Sequence, residues 1–159
     1  YRNRLKCMKK NPSTKLSIRS FDQSLPMQLL KAREAAMSRF RPMLRDHGLT
    51  EQRWRVIRAI HEHNKIDASE LAAKSFLLSP SLTRILKYLE AENIIIRTGD
   101  TNDLRRSVFC LSKKGEKIIM DITPETENLY QEIESLFGAD KFKEIITLLI
   151  EFSTKINKN

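Results

Sequence analysis

The 159-residue sequence contains only four glycines, five prolines and two cysteines, and aromatic residues make up 7% of it. With so few glycines, few positions can form the tight turns that active sites often need. We also find no nucleophile paired with a base and no phosphate-binding loop. We therefore expect a protein that is not an enzyme and needs no cofactor. Two cysteines without other signs of a secreted scaffold are typical of a reducing compartment.

Long apolar segments are also missing. No run is long enough to span a membrane, and residues 1–5 lack the apolar core of a signal peptide. We therefore expect a cytoplasmic protein without a membrane partner.

Acidic residues are absent from the first 20 positions, which hold seven of the 29 lysines and arginines. The other 139 residues therefore carry 22 basic against 20 acidic side chains, and the net charge of +9 mostly describes this basic start. We interpret residues 1–23 as a flexible basic arm, which either adds non-specific phosphate contacts or is a loose end. Residues 24–159 fit one domain.

Residues 67–78 have the pattern of a short helix followed by a tight turn. Asp67 is a candidate N-cap, and Glu70 three residues later completes a capping box. Residues 75–78 are too few and too apolar for a free linker, which predicts a buried turn between two helices.

A second helix is expected to begin at Ser79 as N-cap, with Pro80 at its first helical position. Apolar residues at spacings of three and four form a core-facing stripe: Leu82, Ile85, Leu86 and Leu89. The opposite face carries small hydroxyls and long cations: Ser81, Thr83, Arg84 and Lys87. Such side chains suit the major groove of DNA, although a solvated helix face can have the same composition.

Two strand-like runs follow, at 94–96 and Ser107–Leu111, and together they predict a β-hairpin. The loop between them is polar and carries the adjacent cations Arg105 and Arg106. A hairpin tip of this kind can insert an arginine into the minor groove. Asp103 is placed to hold the Arg105 guanidinium in a bidentate pair. The alternative is an ordinary surface turn with an incidental ion pair, which contributes little.

Three segments resemble the MarR family of transcriptional regulators: DASELAAK (67–74), LSPSLTRILKYLE (78–90) and DLRRSVFCLSKKG (103–115). The last segment matches that family's D-x-R wing followed by its L-[ST]-x-x-G helix start. The similarity covers roughly residues 25–152. Residues 24–27 and 30–42 are further similar to the members that regulate aromatic-acid catabolic operons.

This resemblance implies a mainly α fold with a β-hairpin wing (α+β). The winged helix-turn-helix would span about 50–112, with dimerisation helices at about 24–46 and 113–156. A homodimer would place two reading heads about one turn of DNA apart on a near-palindromic operator. The expected DNA contacts are Ser79, Ser81, Thr83, Arg84, Lys87, Asp103, Arg105 and Arg106.

The first helix, Leu25–Asp46, is expected to begin after Ser24 as its cap. The residues that share one face of this helix are Leu30, Arg33, Met37, Phe40 and Leu44, and all of them except Arg33 are apolar. The Arg33 guanidinium must reach solvent, pair with an acid or meet a ligand. In the resembled family this helix lies between the dimer interface and the ligand pocket, which supports the third option alongside a structural ion pair.

The next helix is capped by Thr50 and carries Trp54, the only tryptophan, beside Arg55. An aromatic wall with nearby arginines suits an aromatic carboxylate, although Trp54 also fits simple core packing. The resemblance to regulators of aromatic-acid operons implies an effector such as a hydroxyphenylacetate. The expected ligand contacts are Ser24, Arg33, Met37, Trp54 and Arg55. We expect no metal site at His61 and His63, because residues two apart on a helix point to different faces.

The C-terminal part predicts two further helices. The first begins at residues 113–115, and Pro124 predicts a kink or a short break in it. Asp140 is the expected cap of the last helix, whose long apolar stripe resembles the family's dimer interface. The implied function is a repressor that an aromatic carboxylate releases from DNA. The alternatives are a regulator with a different effector or none, and a protein–protein docking module.

Overall fold

The computed structural model describes residues 19–99 and 107–157. After a 3-10 turn at Phe21–Gln23, the described elements in chain order are α1 (Leu25–Asp46), α2 (Glu51–His63), β1 (Ile66–Asp67), α3 (Ala68–Ser75), α4 (Ser79–Ala91), β2 (Ile95–Gly99), β3 (Ser107–Leu111), α5 (Lys113–Phe137) and α6 (Ala139–Ile156). The mainly helical fold with a small antiparallel sheet confirms the predicted fold class. None of the helices in these two ranges combines the length and apolarity of a membrane span.

The chain divides into two compact units between Ala35 and Ala36. In the first unit, Lys31 Nζ lies 2.6 Å from Asp22 Oδ1, so the start of α1 is paired with the 3-10 turn that precedes it. α1 begins at Leu25, as predicted. Residues 1–18 of the predicted arm lie outside the described residues.

The core of the second unit is formed by residues of α1 to α5 and of the sheet. Its most deeply buried apolar side chains are Leu44, Val56, Ile57, Ile60, Ile66, Leu71, Leu89 and Ile122. All but Ile66 of β1 come from the apolar stripes of helices, and burial of their apolar area holds these elements together.

The α3–α4 turn differs from its prediction. Asp67 caps α3 as expected, since its Oδ1 accepts hydrogen bonds from the backbone N–H groups of Ser69 and Glu70 at 2.8 and 3.0 Å. However, the predicted burial of the turn holds only in part: Ser75 is buried and Leu77 packs against the core, whereas Phe76 and Leu78 are 84% and 80% exposed. The N-cap of α4 is Leu78, which makes Ser79 the first helical residue rather than the cap.

The sheet contains a strand that the sequence pattern did not indicate. The strand order is β1-β3-β2, and Ile66 of β1 is paired with Phe109 of β3. β1 has only two residues, too few to show the period-two alternation by which strands are recognised. The predicted hairpin is formed by β2 and β3, with Gly99 paired to Ser107 at the end that carries the connecting loop.

The two C-terminal helices differ from prediction at Pro124 and at the N-cap of α6. α5 continues through Pro124, so of the predicted kink or short break, the break does not occur. Pro124 has no N–H to bond to the Met120 carbonyl, so the helix continues there with one hydrogen bond fewer. α6 begins at Ala139 after Gly138, whose φ is +96°, so Asp140 lies in the first turn and is not the cap.

Candidate DNA-reading surface and ligand cavity

The solvent-facing side of α4 is the surface that the sequence predicts to contact DNA. Its apolar stripe is buried, at 0–8% exposure, and consists of Leu82, Ile85, Leu86 and Leu89. Thr83, Arg84 and Lys87 are exposed. Ser81 is half-buried, and Ser79 is exposed at the start of the helix. The five predicted DNA contacts of α4 are therefore accessible to solvent.

The hairpin holds the two ends of its loop side by side. β2 and β3 are paired over their full length, from Ile95 with Leu111 to Gly99 with Ser107. Asp103, Arg105 and Arg106, the three loop residues predicted to contact DNA, lie outside the described residues, and their roles remain predictions.

Charged side chains of α2 contact both helices of the helix-turn-helix. The Arg53 guanidinium carbon lies 3.4 Å from the centroid of the Tyr88 ring on α4. Arg55 donates from Nη1 to the carbonyl oxygen of Ser75, the last residue of α3, at 3.0 Å. Its Nη2 lies 3.2 Å from Glu51 Oε1. α2 thus fixes the position of both α3 and α4.

A cavity of about 350 Å³ lies between α2 and α5. Its lining comprises Trp54, Arg58, His61 and Glu62 from α2 and Ile119, Thr123, Thr126, Glu127 and Tyr130 from α5. Two aromatic rings, one guanidinium and several carboxylate and hydroxyl groups therefore surround one space. This combination offers stacking area together with both donors and acceptors of hydrogen bonds.

The Tyr130 wall of the cavity is held by other aromatic rings. Its ring centroid lies 5.2 Å from that of Phe40 on α1 and 6.4 Å from that of Phe142 on α6. Tilted aromatic pairs at these distances are favourable beyond the area they bury. The ring is therefore fixed before any ligand arrives.

One hydroxyl of the lining is buried without a partner. Thr126 Oγ1 has no hydrogen-bond partner among the described residues. The neighbouring Thr123 instead donates its hydroxyl to the carbonyl oxygen of Ile119 at 2.7 Å. An unsatisfied buried polar group costs about 1–3 kcal/mol, so a ligand group that bonded to Thr126 would recover this free energy.

The structure distinguishes between the arginines of α2. Trp54 lines the cavity, as the sequence predicts. Arg55 is directed instead to Glu51 and Ser75. Arg58, which the sequence analysis did not select, lines the cavity. Residues four apart share a helix face, and this spacing from Trp54 is the signal that could have identified Arg58.

The other predicted ligand contacts are not part of the cavity lining. Ser24 and Arg33 belong to the first unit, where Ser24 is half-buried and Arg33 Nη1 lies 2.7 Å from Glu34 Oε1. Met37, in the second unit, packs half-buried against the apolar core. Their ligand roles, like that of Arg55, remain predictions from the sequence.

A scan against family models matches residues 49–107 to the model described as MarR family. The homoprotocatechuate degradative operon repressor of Escherichia coli is 40% identical over 129 residues, which cover 81% of this chain and 87% of the relative. The chain belongs to the MarR family. It is therefore a transcriptional regulator, in a family whose members are not enzymes.

Solved structures of similar sequence share the fold of this MarR regulator. The transcriptional regulator PA4135 is 40% identical, with a TM-score of 0.80 over 82% of this chain and 96% of that chain. NadR in complex with 4-hydroxyphenylacetate is 37% identical, with a TM-score of 0.75 over 85% and 96%. The similarity to regulators of aromatic-acid operons, inferred from residues 24–27 and 30–42, is confirmed.

Proposed function

We propose that this MarR regulator represses an operon for the catabolism of an aromatic acid and leaves its operator when an aromatic carboxylate occupies the α2–α5 cavity. The observation that carries the proposal is the joint presence of Trp54, Tyr130 and Arg58 in one lining. The resemblance to a repressor of homoprotocatechuate degradation and to a protein that binds 4-hydroxyphenylacetate supports it.

The lining suggests how such a ligand would bind. A guanidinium recognises a carboxylate by two parallel hydrogen bonds, which assigns the acid group to Arg58. The ring would stack against Trp54 or Tyr130. A phenolic hydroxyl would then donate to a carboxylate of Glu62 or Glu127. The volume lies within the range of about 300–1,000 Å³ that is usual for small-molecule sites.

The regulator is proposed to act as a homodimer built on α6. This helix exposes a continuous set of large apolar side chains: Ile145, Ile146, Leu148, Leu149, Ile150, Phe152 and Ile156. Monomeric proteins rarely expose so much contiguous apolar surface, and a second copy would cover it symmetrically. Two α4 helices related by a twofold axis would read a near-palindromic site.

Ligand in the cavity would act on DNA binding through the position of α2. Because α2 contacts α3 through Arg55 and α4 through Arg53, a shift of α2 would move the reading head. Couplings of this kind typically amount to about 1–3 kcal/mol, so operator affinity would fall about 5- to 150-fold. As a repressor, the protein would act in the cytoplasm, where its operator lies.

A fluorescence anisotropy titration tests the proposal. DNA from upstream of the neighbouring operon is titrated with the full chain, with and without 4-hydroxyphenylacetate. We expect tight binding that the ligand weakens, and quenching of Trp54 fluorescence by the ligand alone. Failure of the wild-type chain to prefer this DNA over a random duplex would refute the repressor role. Preference for the DNA without a response to hydroxyphenylacetates would refute the proposed effector class.

A further inference from the structure

A second depression, which shares no lining residue with the ligand cavity, lies between α4 and the hairpin. It measures about 400 Å³. Thr83 and Lys87 of α4 line one side, and Arg97 of β2 with Ser107 and Phe109 of β3 line the other. The sequence analysis did not assign a function to Arg97.

Arg97 is held in place from two directions. Its Nε donates to Ser107 Oγ at 2.8 Å. Its guanidinium carbon lies 5.9 Å from the centroid of the Phe109 ring, which is buried and is the register partner of Arg97 across the ladder. A buried ring below and a hydroxyl beside the guanidinium restrict its rotamers, so less side-chain entropy is lost when it binds a ligand.

The charged end of Arg97 is nevertheless available. Among the residues that the structure describes, no carboxylate forms an ion pair with it, and the residue is exposed. Two acids share the depression, Asp67 and Glu90. Asp67 Oδ1 already accepts hydrogen bonds from the N–H and hydroxyl of Ser69 and from the N–H of Glu70. Glu90 lies three residues after Lys87, near the end of α4, so the two charges offset one another.

The position of Arg97 between α4 and the hairpin indicates which part of DNA it would contact. If a helix occupies the major groove and the tip of the following hairpin reaches the adjacent minor groove, the sugar–phosphate strand that separates the two grooves passes between them. We propose that Arg97 binds a phosphate of this strand through its two Nη groups, with Ser107 orienting the guanidinium. The inference rests on the proposed function. It adds a contact that sets the register of the protein on DNA and reads no base.

Salt dependence provides the test, because each neutralised phosphate contributes about 0.9 to the slope of log K against log salt. Binding is measured between 50 and 300 mM NaCl, to the upstream DNA and to a random 30-base-pair duplex. For a dimer, Arg97→Ala should lower the slope by about 1.8 and weaken binding to both duplexes by a similar factor. Arg97→Lys, which keeps the charge, should retain most of the slope.

Arg45→Ala is the matched control, since it removes an exposed arginine from the last turn of α1 and should leave the slope unchanged. The inference is overturned if Arg97→Ala keeps the wild-type slope. A lower melting temperature in that variant would not rescue the inference, since it would show only that Arg97 stabilises the hairpin. It is also overturned if Arg45→Ala lowers the slope equally. Loss of DNA binding in the wild-type chain would instead refute the proposed function itself.

Discussion

The guanidinium of Arg53 stacks on the ring of Tyr88, with 3.4 Å between the guanidinium carbon and the ring centroid. On α2, Arg53 precedes Trp54, which borders the ligand cavity, and on α4, Tyr88 follows Lys87, which is a predicted DNA contact. A cation over an aromatic face contributes about 0.5–2 kcal/mol, more as water is excluded. This stack therefore joins α2, the helix that carries Trp54 in the cavity lining, to the reading helix.

Arg53→Ala should reduce the effect of ligand on DNA affinity. The ratio of operator dissociation constants with and without 4-hydroxyphenylacetate should fall about 2- to 30-fold, the range that a loss of about 0.5–2 kcal/mol allows. Tyr88→Leu should behave alike, whereas Tyr88→Phe keeps the ring and should retain the wild-type ratio. Ligand affinity, followed by Trp54 fluorescence, should change little. A wild-type ratio in Arg53→Ala would remove the stack from the coupling.

Arg58→Ala should weaken the binding of 4-hydroxyphenylacetate about 10-fold or more, because a charge-assisted hydrogen bond contributes about 1.5–3 kcal/mol. Isothermal titration calorimetry measures this directly. Phenylethanol derivatives, which lack the carboxylate, should bind wild type and variant equally weakly. Equal affinities of wild type and Arg58→Ala for the acid would exclude Arg58 as its partner.

Arg55→Ala separates the two neighbouring arginines. We expect little change in ligand affinity, because the Arg55 side chain contacts Glu51 and the Ser75 carbonyl oxygen. The free energy of unfolding should fall by about 1–3 kcal/mol, because the Ser75 carbonyl oxygen at the end of α3 loses this donor, whereas Glu51 keeps its contact with Arg41. Calorimetry of ligand binding and of unfolding gives both values. A large loss of ligand affinity with unchanged stability would contradict this assignment.

Much of the fold was predictable because its elements have strong local patterns. The start of α1 at Leu25, the capping of α3 by Asp67 and the buried stripe of α4 follow from spacing and side-chain chemistry alone. The N-cap of α4 was missed by one residue because Ser79 has the usual chemistry of a cap, and only the backbone dihedrals show that Leu78 takes that position. Helix boundaries depend on such tertiary detail.

The ligand site was less predictable than the reading helix. Trp54 was selected for its residue type, and Arg55 because it is adjacent in sequence. The face shared by Trp54 and Arg58 becomes meaningful only once α5 is known to pack opposite it. Thr126 and Tyr130 come from α5, 68 to 76 residues after Arg58 and Trp54, and no local pattern connects them with α2.

Gly115→Ala should destabilise the fold. A Cβ at this position would overlap the carbonyl oxygen of Ile94, and that oxygen is fixed because the Ser112 N–H donates to it at 3.0 Å. Overpacking of this kind costs about 1–3 kcal/mol, and chemical denaturation followed by circular dichroism measures it.

Gly48→Ala is the control, because it tests backbone strain without a steric clash. At Gly48 φ is +69°, and the added Cβ would meet no atom within 4 Å. It should cost about 1 kcal/mol, and a larger loss than in Gly115→Ala would contradict the steric argument.

Leu149→Glu should convert the proposed dimer into a monomer. The change places a charge in the exposed apolar face of α6, where burial against a second copy would remove its hydration. Sedimentation at micromolar concentration should show half the wild-type mass. DNA affinity should fall about 100-fold or more, because two linked reading heads bind far more tightly than one.

Lys143→Glu is the control for this prediction. It reverses an exposed charge on the same helix without removing apolar area and should remain dimeric. A dimeric Leu149→Glu would show that α6 is not the interface, while a folded monomer that binds DNA as tightly as wild type would contradict the twofold reading of the operator.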